Sequence, residues 1–241
     1  MSNDQASAMT GSPAERLRAS DIDVGLRRFL LSVYNYMAFG LAVTGLTAYG
    51  AAASGLYATL VQTPILLWVV ILAPLALVLF LSFRIEKMSL PAAQASFWAY
   101  AALIGLSLAG IFLMYTGVSI ARTFFITAAT FLAMSLYGYT TRTDLARFGS
   151  FLLMGLFGII IAGLVNMLLS SSTLQLVISV IGVLVFVGLT AYDTQRIKHI
   201  YLESDSSIVA GKKAIMGALA LYLDFLNLFI LLLQLTGDRR R

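Results

Sequence analysis

The chain alternates between long apolar runs and short polar loops. Seven of the runs reach spanning length, and they cover approximately residues 28–51, 64–83, 93–115, 119–139, 147–169, 174–195 and 214–236. Each is close to the ~20 residues that an α-helix needs to cross a hydrocarbon core about 30 Å thick. Open sheet cannot satisfy its backbone in lipid, and the alternating pattern of barrel strands is absent. The pattern therefore predicts an all-α integral membrane protein, a seven-transmembrane-helix bundle.

The composition supports this prediction and excludes several kinds of chemistry. Of the 241 residues, 60% are hydrophobic and only 11% are charged, whereas about 25% are charged in a soluble domain. With no cysteine, the chain has no disulfide, no thiol catalysis and no Cys-based metal site. Nucleotide-binding, hydrolase and zinc-protease motifs are also absent. We predict no enzyme activity, no cofactor and no nucleic-acid partner; the lipid bilayer is the predicted partner.

Basic residues are concentrated before the first run and in every second loop. They are Arg16, Arg18, Arg27, Arg28, Arg84, Lys87, Arg142, Arg147, Arg196, Lys198, Lys212 and Lys213. The positive-inside rule therefore predicts a cytosolic N-terminus. Residues 1–26 lack the features of a signal peptide and are interpreted as a flexible cytosolic tail. Residues 27–237 form the predicted membrane domain, and 238–241 form a basic tail that seven spans place on the side where basic residues are disfavoured.

The last apolar run contains one buried acid. A carboxylate such as Asp224 at the centre of a spanning helix costs about 2.5–3.5 kcal/mol on insertion scales. Asp224, Asn227, Leu231 and Gln234 are spaced so that they form one stripe along the helix. The stripe predicts that this helix lies at the centre of the bundle. Asn227 and Gln234 either form interhelical hydrogen bonds, worth about 0.6 kcal/mol each on average, or line a pathway.

A second acid closes the preceding run. Asp193 lies in the tetrad YDTQ at 192–195, and by itself it is either an interfacial acid paired with Arg196 or a functional group. Two acids on consecutive membrane helices indicate proton or cation handling. Their nominal depths differ by several ångströms, so helix tilt would have to bring them together. Arg84 ends the second run on the same side, where it either snorkels to the surface or pairs with Asp193.

Several segments resemble the Bax inhibitor-1 family. AYDTQRIK at 191–198 and ALYLDFLNLF at 220–229 resemble its closing signature. RRFLLSVYNYMAFGLAVTGL at 27–46 and ALIGLSLAGIF at 102–112 are similar to its bacterial branch. The resemblance implies a seven-helix bundle with the last helix central, in the bacterial inner (plasma) membrane. Bacterial members are described as pH-sensitive calcium leak channels, so calcium is the implied transported ion.

The resemblance also implies roles for particular residues. Asp193 and Asp224 match a hydrogen-bonded carboxylate pair that acts as pH sensor and gate and binds calcium weakly and transiently. Arg84 matches an arginine that latches the first of these acids. Asn227, Gln234 and Tyr192 are the candidates for lining the pathway. The chain departs from some members in its second run, where APLALVLF at 73–80 carries no acid.

The pair suggests how pH would act. Two carboxylates close together in a low-dielectric site cannot both ionise cheaply, so they share one proton. The shared proton holds the last two helices together, and its loss lets them separate, so flux is predicted to rise with pH.

Two other functions remain as alternatives. Other bacterial members bind and modulate a membrane-anchored ATP-dependent protease, so the chain is alternatively a regulator of such a protease or of a stress response. An intramembrane aspartyl protease is disfavoured, because residues 221–223 read LYL where that class carries Gly-x-Gly.

Overall fold

A computed structural model describes residues 13–240 of the chain, with side chains from residue 24 onward. Its helices are α1 (Pro13–Ala53), α2 (Leu56–Gln62), α3 (Pro64–Arg84), α4 (Leu90–Leu108), α5 (Gly110–Met114), α6 (Gly117–Thr140), α7 (Ala146–Leu169), α8 (Ser172–His199) and α9 (Ser207–Thr236). A 3₁₀ turn, Ile85–Lys87, extends α3, and α5 continues the span begun by α4. Seven segments are long and apolar enough to cross a membrane. The predicted all-α seven-helix membrane bundle is confirmed.

Local sequence explains where several of these helices begin. A serine or threonine precedes α4, α6, α8 and α9, and its hydroxyl accepts a hydrogen bond from the N–H three residues later. Such caps satisfy backbone donors that have no partner inside the helix. Between α7 and α8 the chain turns at Ser170, which has a left-handed backbone (φ 51°). The side-chain oxygen of Asn166 accepts from the N–H of Ser171 at 3.0 Å and supports this turn.

The last helix lies at the centre of the bundle, as the polar stripe predicts. α9 packs against α1, α4, α6 and α8 and is the most buried of the seven spans. α3 and α7 lie further out, against α4 and α8 respectively. The central helix therefore has four main neighbours where the stripe suggested six, because two spans form an outer layer. We call the side where α1 enters its span the N-terminal face and the side where α9 ends the C-terminal face.

Two helix boundaries differ from the sequence prediction. α1 begins at Pro13, so residues 13–26 are helical where a flexible tail is expected; residues 1–12 lie outside the described residues. Proline suits the first turn of a helix, and no glycine or proline follows before Gly25. α9 begins at Ser207, one residue after its cap and well before the apolar run at 214. Hydropathy misses this polar first turn, since tertiary contacts hold it.

Those contacts involve two neighbouring lysines. The Nζ atom of Lys212 donates to the carbonyl of Glu86 at 2.8 Å. The Nζ atom of Lys213 lies 2.6 Å from the carboxylate of Asp205 and donates to the carbonyl of Ile200 at 3.0 Å. The first turns of α9 are thus fastened to the loops that surround them.

Two glycines bring helices into near-backbone contact. A Cβ atom on Gly138 of α6 would lie 2.2 Å from the carbonyl oxygen of Ala191 on α8. A Cβ on Gly105 of α4 would lie 2.5 Å from the carbonyl oxygen of Thr44 on α1. Small residues permit this approach, and close packing is a main source of helix association in lipid.

Pro74 lies inside α3 and leaves one carbonyl without its usual partner. Proline has no N–H, so the carbonyl oxygen of Val70, four residues earlier, loses its intrahelical hydrogen bond. The hydroxyl of Ser107 on α4 lies 2.7 Å from this oxygen and donates to it. The proline thus creates an acceptor that ties α3 to α4.

The residues after α9 are bound at the C-terminal face. The carbonyl of Asp238 accepts from the N–H of Thr116 at 3.1 Å, and the N–H of Arg240 donates to the carbonyl of Met114 at 2.9 Å. The carboxylate of Asp238 also meets Arg122 at 3.0 Å. These contacts fix the segment 238–240 against the connection between α5 and α6.

Candidate functional site

The two acids highlighted by the sequence meet between α8 and α9. Asp224 is only 5% exposed, and the side chain of Asp193 is 15% exposed. Their carboxyl groups lie within hydrogen-bonding reach of each other. The Oδ2 atom of Asp224 has no hydrogen-bond donor among the described residues. Ionised carboxylates only accept hydrogen bonds, so a bond between these two requires that one of them carry a proton.

The antiparallel register explains how acids of different nominal depth come together. Lys213 on α9 reaches the carbonyl of Ile200 at the end of α8, and a Cβ on Gly217 would lie 3.3 Å from Ile197. Continuing this register places Asp193 about one turn, or roughly 5 Å, short of Asp224. Every Cα–Cβ bond tilts toward the N-terminus of its helix, so in antiparallel helices these two side chains lean toward each other. Side-chain direction therefore closes the gap for which the sequence prediction invoked tilt.

Among the described residues, the cation paired with Asp193 is Arg196. The Nη1 atom of Arg196 lies 4.0 Å from Oδ1 of Asp193, and the arginine side chain is 66% exposed. An ion pair this exposed and this long contributes little to stability. Arg84 is exposed at the end of α3, which packs on α4 and not on α8. Among the described residues Arg84 forms no salt bridge, so the predicted latch is not formed in this conformation.

Hydroxyl groups connect three helices beside Asp193. Tyr34 of α1 is hydrogen-bonded to Ser135 of α6. The Ser135 hydroxyl lies 3.1 Å from that of Thr194 on α8, which donates to the carbonyl of Thr190 at 2.8 Å. Sequence reasoning missed this chain, because a hydroxyl in an apolar helix usually bonds within its own helix and gives no signal of a partner.

Gln195, the last member of the tetrad, holds the loop between α6 and α7. Its Oε1 atom accepts from the N–H of Leu145 at 2.8 Å, and its Nε2 atom donates to the carbonyl of Thr143 at 2.9 Å. The tetrad at 192–195 thus contains both Asp193 of the acid pair and Gln195, which holds this loop. Sequence reasoning gave Gln195 no role; a glutamine in the last turns of an apolar helix is the signal that could have identified it.

The three candidate pathway residues lie in different surroundings. Asn227 is partly buried, and its amide donates to the carbonyl of Leu223 on its own helix at 2.8 Å. Tyr192 faces α7, where a Cβ on Gly149 would lie 2.8 Å from its ring. Gln234 is exposed at the C-terminal face. Of the two candidates on α9, Asn227 lies within one helical turn of Asp224 and Gln234 does not.

Gln234 belongs to a second polar layer. Its Oε1 atom accepts from Nε2 of Gln175 at 2.7 Å and from the hydroxyl of Ser179 at 3.1 Å. Asn166 extends the layer by donating to Oε1 of Gln175 at 3.0 Å. Sequence reasoning identified Gln234 but neither its partners on α8 nor the extension of the layer to Asn166 on α7.

An apolar layer separates the acid pair from these amides. It consists of Val185, Phe186, Leu189, Leu228 and Leu231, all buried. Leu231 packs so closely on Gly182 that a Cβ there would lie 2.7 Å from its Cδ1. Any path for ions along the interface of α8 and α9 is therefore closed by side chains in this conformation.

The ligand set for a cation is small. Among the described residues no three His, Cys, Asp or Glu side chains are grouped to hold a metal ion. Asp193 and Asp224 supply carboxylate oxygens, while calcium takes six to eight oxygen ligands. Water would have to complete the shell, and such a site binds weakly.

Comparisons with known proteins extend over nearly the whole chain. The model of the family described as "Inhibitor of apoptosis-promoting Bax1" matches residues 26–241. The inner membrane protein YbhL of Escherichia coli strain K12 is 48% identical over 219 residues, which are 90% of this chain and 94% of YbhL. The protein RP147 of Rickettsia prowazekii is also 48% identical, over 90% of this chain and 92% of its own length. A protein of Caulobacter vibrioides is 43% identical over 95% of each chain.

Proposed function

This chain belongs to the Bax inhibitor-1 family, and from that premise we propose that it is a passive, pH-sensitive cation channel that carries calcium. The observation that carries the proposal is the buried carboxyl group of Asp224, which lies beside Asp193 and whose Oδ2 atom lacks a donor. YbhL is named an inner membrane protein, so we assign this chain to the bacterial inner membrane. The distribution of basic loops assigns its N-terminal face to the cytosol.

The proposed gate is the proton shared by Asp193 and Asp224. While one acid is protonated, a hydrogen bond joins α8 to the central helix and the interface stays closed. When the proton leaves, two negative charges about 4 Å apart would repel by about 4 kcal/mol at an effective dielectric constant near 20. Separation of the helices relieves this repulsion. One pH unit supplies about 1.4 kcal/mol of bias per proton, so a bundle balanced within a few kcal/mol opens as pH rises.

Opening must also part the apolar layer. Leu228 and Leu231 lie on α9 between the acid pair and Gln234, so a movement of α9 away from α8 acts on both polar layers at once. The carboxylates would then receive a cation at one end, and the amide oxygens at the other. Because the two acids offer few ligands, the cation binds weakly and passes on. Arg84 is proposed to pair with Asp193 in another state of the cycle.

Ion flux into liposomes that contain only this protein tests the proposal. Initial rates are measured for calcium, sodium, potassium and protons from about pH 6 to 8, with protein-free liposomes as control. The proposal expects a calcium flux that increases with pH and needs no energy source. Absence of cation flux across the whole range, or a flux indifferent to pH, overturns it.

A regulatory function is the second candidate, and the start of α1 favours it. This helix begins at Pro13, well before the first apolar run at residue 28, and the polar residues between them would offer a helical segment to a protein partner such as a membrane-anchored protease. Deletion of residues 1–23 separates the two functions. A channel retains its flux without this segment, whereas a docking function is lost.

A further inference from the structure

A groove opens toward the lipid between α1 and α6 at the N-terminal face. Its volume is about 390 Å³, and leucines from both helices form its walls. Leu31, Leu132 and Leu136 are more than half exposed. Among the described residues the two helices are not packed along their length, and the hydrogen bond between Tyr34 and Ser135 crosses between them. This surface would be covered by hydrocarbon in a membrane.

One cationic side chain lines the groove, and a second contacts a residue that lines it. Arg27 lines its end near the N-terminal face, together with Tyr139 of α6. The Nζ atom of Lys198 lies 4.9 Å from the centre of the Tyr139 ring and donates to the Tyr139 carbonyl at 3.0 Å. Neither cation forms a salt bridge with any side chain that the structure describes. Asp23 precedes Arg27 by one helical turn in the sequence, and its side chain lies outside that described set.

The arrangement separates charge from apolar surface along one axis. From Arg27 to Tyr34 the groove follows α1 for about 10 Å, which is roughly a third of the hydrocarbon thickness. Cations at the membrane surface above an apolar groove are complementary to a molecule with an anionic head and a hydrocarbon tail. Basic pockets between transmembrane helices are a recognised way to bind anionic lipid headgroups. A soluble phosphate would meet the cations but make no use of the apolar surface beside them.

We propose that this groove binds one anionic phospholipid of the leaflet at the N-terminal face. Its phosphate lies between Arg27 and Lys198, and an acyl chain lies over Leu31, Leu132 and Leu136. The site is distinct from the Asp193/Asp224 pair, and the proposal holds whether or not the protein conducts ions.

Native mass spectrometry of the full chain in mild detergent tests the proposal, because it resolves individual bound lipids. The probes are phosphatidylglycerol and phosphatidylcholine with identical acyl chains. We expect one phosphatidylglycerol to bind more tightly than phosphatidylcholine. The double substitution Arg27→Gln/Lys198→Gln should weaken phosphatidylglycerol about twenty-five-fold, since each basic residue contributes about fivefold, and weaken phosphatidylcholine less, because its choline cation offsets the charge of its phosphate.

Two further variants separate the headgroup from the tail. Arg142→Gln/Arg147→Gln removes two exposed cations, one from the loop between α6 and α7 and one from the first turn of α7, and should leave the lipid preference intact. Leu132→Trp fills the groove from an exposed position and should weaken both lipids. Thermal melting confirms that each variant is folded.

Several outcomes overturn the proposal. Equal affinity for both lipids, or an equal loss in the control pair, means that no specific headgroup site exists. Displacement of the lipid by millimolar glycerol phosphate means that the site takes soluble phosphate. A dimer that disappears in Leu132→Trp means that a second copy of the chain covers the groove.

Discussion

The carboxyl group of Asp224 lies within hydrogen-bonding reach of Asp193, although the two residues start from different depths on antiparallel helices. The Oδ2 atom of Asp224 meets no other donor among the described residues. A proton shared between the two acids would join their carboxyl groups. The pairing depends on the antiparallel direction of α8 and α9. On parallel helices both side chains would lean the same way and would not approach each other.

Replacement of either acid by its amide should flatten the response to pH. In Asp193→Asn and Asp224→Asn the group no longer titrates, so the pair cannot become doubly charged. Wild-type flux should rise with pH by at most about tenfold per unit where one proton is released, and each variant should change less than about twofold. Initial calcium flux into liposomes between about pH 6 and 8 measures this. A full wild-type pH response in both variants would show that the acid pair is not the gate.

The predicted latch is testable by double-mutant cycles. Arg84→Ala and Arg196→Ala are each combined with Asp193→Asn, and flux is measured at several pH values. Because the Arg196 pair is 4.0 Å long and exposed, its coupling to Asp193 should be below about 1 kcal/mol. If Arg84 binds Asp193 in another state, its coupling should exceed that of Arg196. Additive effects of Arg84→Ala and Asp193→Asn would show that the latch does not exist.

The apolar layer should act as a barrier to ions. Leu228 is fully buried between the acid pair and the amides, so Leu228→Ala should leave a cavity and raise flux at about pH 6, where the proposed gate is closed. Leu184→Ala is the matched control, since Leu184 lies on α8 with 67% of its surface exposed. Truncation in a core costs about 2–5 kcal/mol, so thermal melting accompanies the assay. An unchanged flux in a folded Leu228→Ala protein argues for a different path.

Ser107 should matter only because Pro74 is present. Ser107→Ala leaves the buried carbonyl of Val70 without a donor and should lower the free energy of unfolding by about 1–3 kcal/mol. In a Pro74→Ala background the restored N–H reaches that carbonyl, so Ser107→Ala should then cost much less. Ser82→Ala is the control, because its exposed hydroxyl bonds only within α3. Equal costs in both backgrounds would show that the two residues act separately.

Topology can be tested with single cysteines, since the chain contains none. Ser206 lies at the N-terminal face before α9, and Thr236 lies at its C-terminal end. An impermeant maleimide should label Thr236→Cys on intact cells and Ser206→Cys only after permeabilisation. Labelling of Ser206→Cys on intact cells would reverse the orientation.

The sequence predicts both the spans and the acid pair because placing polar or charged groups in the hydrocarbon core costs free energy. That cost makes apolar runs long and makes Asp224 conspicuous. It does not report which helices are neighbours, so the face that Tyr192 turns to α7 and the partners of Gln234 could not be foreseen. Nor does it locate polar helical turns, because the start of α9 depends on contacts made by Lys212 and Lys213.

The central position of α9 sets an order for synthesis. The six earlier spans leave the ribosome before the helix around which four of them pack. Until α9 inserts, Asp193 has no acid partner, and the hydroxyl of Thr44 lacks that of Tyr222, which lies 2.6 Å away in the finished protein. A nascent chain interrupted before Ser207 therefore lacks the partners that Asp193 and Thr44 have in the finished protein. The central helix is therefore the last span to join the bundle, at the end of translation.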